Sequence, residues 1–232
     1  MKSLTRPRFV PFNEHKAVRL YRRNLPHWRQ KGATYFVTFR LADSVPTAVL
    51  RQWDYEKTKW LGARGINTDI HSNSFRLAFE RLPANEQYLY HKHFSRLMHQ
   101  HLDGGQGGCS LRKDECIETV RAELERGDGQ EHHLGDFVIM PNHVHVLVTP
   151  IDDTDLEMIL KSVKGASAVK CNRACQSSGT FWQADSYDHI VRSPEQLGHL
   201  REYIADNPQK AGITLNSLAI HRSDWMDQWG DF

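Results

Sequence analysis

The chain has no apolar run long enough to cross a bilayer, and its opening residues MKSLTRPRF lack the apolar stretch of a secretory signal, so a cytoplasmic protein is expected. Cysteine is scarce: Cys109, Cys116, Cys171 and Cys175 form no CxxC pair and no zinc-ribbon spacing, which excludes the common structural zinc sites and points to reduced thiols. Two hydrolytic signatures are missing as well. No Asp stands at HxHxDH spacing, and no HxE pairs with PCxxC, so metal hydrolases and zinc deaminases of those kinds lose their support. Acid is nearly absent from residues 1–31, where nine Lys/Arg face one Glu. A basic N-terminal arm on a net acidic body suits a polyanionic partner, although a solvated tail has the same composition.

At 232 residues with 39% hydrophobic content, the chain can bury one domain's core and carry an elaboration. Thr34 to Leu41 (TYFVTFRL) is rich in β-branched and aromatic residues and predicts the first strand. From about 42 to 108 the pattern turns helical, over Val45 to Trp60 and Pro83 to Leu102, and ends in the glycine-rich GGQGG. This reads as a helical insertion. Ile117, Val120 and Leu124 continue at helical spacing, and a capping box at Thr154 and Glu157 predicts the start of a long helix. Phe181 to Val191 predicts an irregular strand. Ser193, Pro194 and Gln196 open a last helix, which Pro208 is expected to stop.

The order is strand, helix, strand, strand, helix, strand, then a terminal helix. That predicts an α+β fold, a ferredoxin-like or RRM-like βαββαβ antiparallel sheet with a helical insertion after the first strand. The domain is expected over 32–213, with 214–232 as a tail.

The stretch FVIMPNHVHVLVTP (137–150) predicts two antiparallel strands around the Pro141-Asn142 turn. Residues i and i+2 of a strand share a face, so His143 and His145 emerge side by side. By itself such a pair fits a satisfied structural role as well as it fits a metal ligand pair. His91/His93 and His99/His101 have the same spacing within a helical pattern, where i and i+2 diverge, and receive no ligand role. On the last helix Tyr203 and Asn207 lie four apart and share a face, with His199 one turn earlier. A tyrosine there is usually only half-buried packing.

Three strings taken together go further: MPNHVHVLV (140–148), FWQADSYDHIVR (181–192) and YIADNPQKAGI (203–213). In this order they resemble the REP-associated tyrosine transposases, single-tyrosine members of the HUH nucleases, over about Leu25 to Ile213 outside the insertion. The resemblance implies a bacterial, nucleoid-associated transposase that nicks and rejoins single-stranded or hairpin DNA of the REP type through a 5′-phosphotyrosine. It implies Tyr203 as nucleophile and His143, His145 and Asn207 as ligands of a divalent ion, although related transposases often have Gln at the last position. Two imidazole nitrogens and an amide oxygen suit Mn²⁺ readily and Mg²⁺ less so. Arg22, Arg23, Lys161, Lys164, Lys170, Trp182 and Arg192 are the candidate DNA contacts, in a monomer or homodimer. The competing reading is a non-catalytic single-stranded nucleic-acid-binding module of RRM-like fold, with Trp182 and Tyr187 as stacking platforms.

Overall fold

The computed structural model describes residues 8–22, 26–67, 73–104 and 107–227. Its centre is an antiparallel sheet of five strands whose spatial order is β6 (Tyr187–Ile190), β3 (Tyr35–Arg40), β5 (His143–Pro150), β4 (His132–Ile139) and β7 (Ile220–His221). Every residue of β3 and β5 is buried, because both faces of these inner strands are covered. On one face, Val37, Phe39, Val144 and Val146 pack against Ile117 and Val120 of α4 (Asp114–Glu125) and Ile159 and Val163 of α5 (Leu156–Ala174). On the other face, Phe36, Val138 and Leu147 pack against Leu197 and Ile204 of α6 (Pro194–Lys210). The alternation of side chains along β5 therefore delivers His143 and His145 to the face under α6.

The expected first strand is the third in sequence. Within the basic arm, β1 (Arg19–Arg22) and β2 (Pro26–Arg29) pair as an antiparallel hairpin, and Phe9 is buried beside the α6 face. The C-terminal segment is not a plain tail either. β7 adds to the free edge of β4, and Trp225 Nε1 donates to the Leu134 carbonyl at 2.9 Å. Gly135 lies at the irregularity in β4, where an added Cβ would sit 2.5 Å from Met226 Cε, so only glycine leaves room for that residue.

The described residues of the insertion form three helices, α1 (Thr47–Gly62), α2 (Asn73–Glu80) and α3 (Ala84–Asp103), around a small core of Leu61, Ile66, Phe79, Tyr90 and Phe94. Leu102 is fully buried with Val45 and Trp53, which fixes the last turn of α3. Two helix boundaries differ from expectation. Asp155, not Thr154, occupies the N-cap of α5, and it makes no side-chain cap bond: its carboxylate accepts from Arg19 Nη2 at 3.0 Å, while the Thr154 amide closes a turn onto Ile151. Pro208 lies inside α6 instead of ending it, supplying no N–H to the carbonyl four residues back, and the helix ends two residues later before Gly212 at φ +66°.

Candidate metal and nucleophile site

His143 and His145 are both fully buried, with their Nε2 atoms 3.0 Å apart. His143 Nδ1 lies 2.7 Å from Asn142 Oδ1, an atom that can only accept, so the proton belongs on Nδ1 and Nε2 is left with its lone pair. Across the sheet, His145 is in register with Thr38, and its Nδ1 meets Thr38 Oγ1 at 2.7 Å. Each imidazole is thus held from behind while its other nitrogen faces the same point, as in metal-binding histidines. Phe36 stacks on His145 at 5.4 Å between ring centres and fixes that ring's plane.

The Tyr203 hydroxyl lies 3.3 Å from His145 Nε2 and 3.5 Å from both carboxylate oxygens of Asp103. Asn207 is fully buried; its Nδ2 donates to Asp103 Oδ1 at 3.2 Å, while its Oδ1 has no hydrogen-bond partner. Asp103 also approaches His143 Nε2 at 3.8 Å, and the ligand atoms of Asp103, His143 and His145 all lie within 4.8 Å of one another. A buried amide oxygen without a donor is costly, as is a half-buried carboxylate without a cation against it. Burial pushes the Asp103 carboxyl above its ordinary pKa, against the hydrogen bonds from Asn207 and Tyr203. Burial, then the Asp103 charge, raises the Tyr203 phenol well above its ordinary value. One cation held between these groups would offset all of these costs. Asp103, His143 and His145 could together hold a metal ion, and the Asn207 amide oxygen lies beside them without a donor.

His143, His145, Tyr203 and Asn207 therefore converge, and they are joined by two residues that sequence reasoning did not single out. Thr38 had a faint signal, a polar residue in an otherwise apolar strand. Asp103 had none, because it reaches the site from the end of the insertion, a hundred residues before Tyr203.

The candidate DNA contacts do not gather in this way. Trp182 is buried, donates Nε1 to Ser167 Oγ at 2.9 Å and packs on Phe39 at 4.9 Å, so it belongs to the α4/α5 core and has no face for a base. Lys164 Nζ donates to the Gln183 and Ala184 carbonyls at 2.7 and 2.9 Å, and Lys170 pairs with the buried Glu123 at 2.7 Å. Both amines are engaged in holding the fold. Lys161 is exposed, and Arg192 is exposed over the rings of Phe12 and Trp28. Arg22 lies in β1, but its side chain and all of Arg23 fall outside the described residues.

Residues 113–207 match the family described as "Transposase IS200 like", a span that contains both histidines and Tyr203 and ends on Asn207. No curated protein matches the chain. Among solved structures it is similar to a REP-associated tyrosine transposase bound to a REP hairpin, at 17% identity and TM-score 0.43, over 84% of this chain and 74% of that one. It is also similar to a putative transposase from Deinococcus radiodurans R1, at 13% identity and TM-score 0.31, over 75% of this chain and 89% of that one.

Proposed function

We propose that this chain, which carries the IS200-like transposase family's segment in residues 113–207, is a metal-dependent endonuclease and strand transferase for single-stranded, hairpin-forming DNA. The observation that carries the reading is the Tyr203 hydroxyl 3.3 Å from His145 Nε2, against a buried set of His143, His145, Asp103 and Asn207. Those four residues would hold the ion, and when bound it would supply positive charge to the phosphate oxygens. The strand order β6-β3-β5-β4 supports a ferredoxin-like core, which leaves one sheet face free for the tyrosine helix.

Tyr203 Oη forms a bond to phosphorus while the bond from phosphorus to the 3′ oxygen breaks. Asp103, whose two carboxylate oxygens both lie 3.5 Å from the hydroxyl, accepts the phenol proton on one oxygen, leaving the other for the ion, and returns the proton to the departing 3′ oxygen. The products are a 5′-phosphotyrosine and a 3′-hydroxyl. Attack of a 3′-hydroxyl on the phosphotyrosine reverses the exchange without an external energy source, so rejoining follows from the same geometry. Because nucleophile and ligands come from one chain, the arrangement supports action in cis. REP-like hairpins are the first substrates to try, as the likeness of the three strings implies. The non-catalytic binding module loses support from the burial of Trp182.

The test is a labelled hairpin oligonucleotide panel with Mn²⁺ or Mg²⁺, scored for a covalent adduct in denaturing gels. Wild type forms the adduct and Tyr203→Phe, which keeps the ring, forms none. An adduct with Tyr203→Phe refutes the assignment.

A further inference from the structure

Among the described residues three arginines are almost fully buried: Arg29 at 7%, Arg40 at 7% and Arg201 at 5% exposure. Arg29 is paired with Asp188 and Glu157, and Arg201 with Asp136 and Asp227. Arg40 differs. Among the described residues it has no carboxylate within ion-pair distance, and its one side-chain hydrogen bond runs from Nη1 to Ser44 Oγ at 3.1 Å. Asp185 acts on it only at longer range, and burial lowers the pKa of the guanidinium. A desolvated guanidinium with unused donors is held at a cost that an anionic ligand removes.

Its place in the sheet says where that anion lies. Arg40 is directly opposite His143 in the β3–β5 register. Two residues along β3 from Thr38, it stands on the face where Thr38 holds His145. Ser44 is itself fixed, fully buried with its hydroxyl donated to the Leu41 carbonyl at 2.7 Å, so the guanidinium is braced from behind. Beside it, the His101 ring is hydrogen-bonded to the Ser44 backbone, and His101 Nε2 is buried without a partner. Helical spacing gave His101 no role, yet α3 brings it to the same wall, two residues before Asp103.

We propose that Arg40 is a phosphate-binding residue, taking a backbone phosphate of the DNA strand next to the His143–His145 site. The planar guanidinium can offer two parallel N–H groups to two oxygens of one phosphate, a match that an ammonium lacks. This rests on the nuclease reading, in that it makes Arg40 the second point holding the strand in line with Tyr203.

The experiment replaces single phosphates around the cleavage position by neutral methylphosphonates, in hairpin oligonucleotides given to wild type, Arg40→Met and Arg40→Lys. Adduct formation is measured with Mn²⁺, and binding by fluorescence anisotropy with chelator, after thermal melting establishes which variants are folded. At one position, neutralising the phosphate weakens wild type but leaves Arg40→Met unchanged. Arg40→Met forms adduct on the natural strand about 10²-fold more slowly, the size of loss that misplacing a substrate relative to its nucleophile produces. Arg40→Lys recovers part of the binding but not the full rate. If Arg40→Met is unfolded, the comparison of wild type with Arg40→Lys carries the test, since only wild type is to show the full sensitivity. Equal sensitivity of all folded variants at every position overturns the proposal. If no protein forms an adduct but the binding difference at one position persists, the nuclease reading fails and the phosphate site stands.

Discussion

Asp103, which is half-buried, and Asp188, whose side chain is buried, lie on opposite faces of the same sheet, and their surroundings drive them in opposite directions. Burial pushes both upward in pKa. At Asp188 the hydrogen bonds from His27 and Arg29 outweigh it, so the carboxyl titrates below its usual range, whereas at Asp103 the bonds from Asn207 and Tyr203 do not suffice and it titrates above. His27 Nδ1 stands 2.7 Å from Asp188, Arg29 holds it with two nitrogens at 2.5 and 3.0 Å, and Arg29 also meets Glu157 at 2.6 Å. In that cluster each carboxylate has an arginine against it, Arg29 at Asp188 and Arg29 with Arg19 at Glu157, and the cluster ties the β1–β2 hairpin to β6. The Asp103 cluster holds a carboxylate, two facing imidazole nitrogens and an orphan amide oxygen, with no Lys or Arg at ion-pair distance among the described residues. A balanced buried network is structural; an unbalanced one is built for a partner that supplies the missing charge.

The widest separation between the two clusters is expected in catalysis. His143→Ala or His145→Ala should slow adduct formation by roughly 10²–10³-fold, because charge stabilisation at the phosphate is lost, while anisotropy shows hairpin DNA still bound. Either variant cutting at the wild-type rate in chelator-treated buffer would dissolve the contrast. Stability should divide them the other way. Asp188→Asn leaves His27 and Arg29 facing a neutral amide and should cost about 3–5 kcal/mol in denaturant unfolding. Asp103→Asn removes a charge that the apoprotein carries without a paired cation, so it should cost nothing or raise Tm, and should abolish the Tm increase that Mn²⁺ is expected to give wild type. A Mn²⁺ shift that survives in Asp103→Asn would remove Asp103 from the ligand set.

A smaller effect lies between the clusters, at His189. Burial lowers its pKa from 6.5 to about 4, and its Nδ1 is buried without a partner. In the unfolded chain this ring takes up a proton near its ordinary pKa, but in the fold only near 4. Its contribution is therefore fully present above pH 6.5 and falls away as pH drops toward 4, by about 3 kcal/mol at most. His189→Phe should flatten the stability profile in that window, whereas Asp188→Asn should not change it there, since a depressed carboxylate gives up its contribution only below the ordinary Asp range. An unaltered slope in His189→Phe would place the acid sensitivity elsewhere.

What was legible in the sequence follows from how far each signal reaches. The strands at 35–40 and 143–150 and the cap at Ser193, whose Oγ accepts from the Gln196 amide at 3.2 Å, are written in neighbouring residues. So is the convergence of His143 with His145. Asp103 is set by the folding of a separate small core around Tyr90 and Phe94, and no local pattern marks it. Trp182 was misplaced for a related reason: in an irregular strand, period two does not say which face an aromatic takes, and its indole went to Ser167. The hairpin in the arm was hidden by its charge, because the burial of Arg29 depends on Asp188, 159 residues away.

The smallest expected effect concerns where the DNA backbone runs beyond the site, and it separates cations used by the fold from cations left free. Lys170 neutralises Glu123, whose carboxyl is held below its ordinary pKa by Lys170 and Arg126 in spite of burial, and Lys164 is spent on two carbonyls. Removing either charge should lower stability and leave the salt dependence of DNA binding as it was. Lys161 is exposed on α5, and Arg192 lies exposed over Trp28, itself 48% exposed, so a cation and an aromatic face are presented together. For a single strand, each side-chain cation withdrawn from a phosphate reduces the slope of log K against log salt by about 0.7. Lys161→Met with Arg192→Met should therefore flatten the slope by up to about 1.4, and Lys164→Met with Lys170→Met by nearly nothing. If the second pair flattens the slope as much as the first, those lysines leave their intramolecular partners for phosphate, and the division between structural and free cations fails on this face.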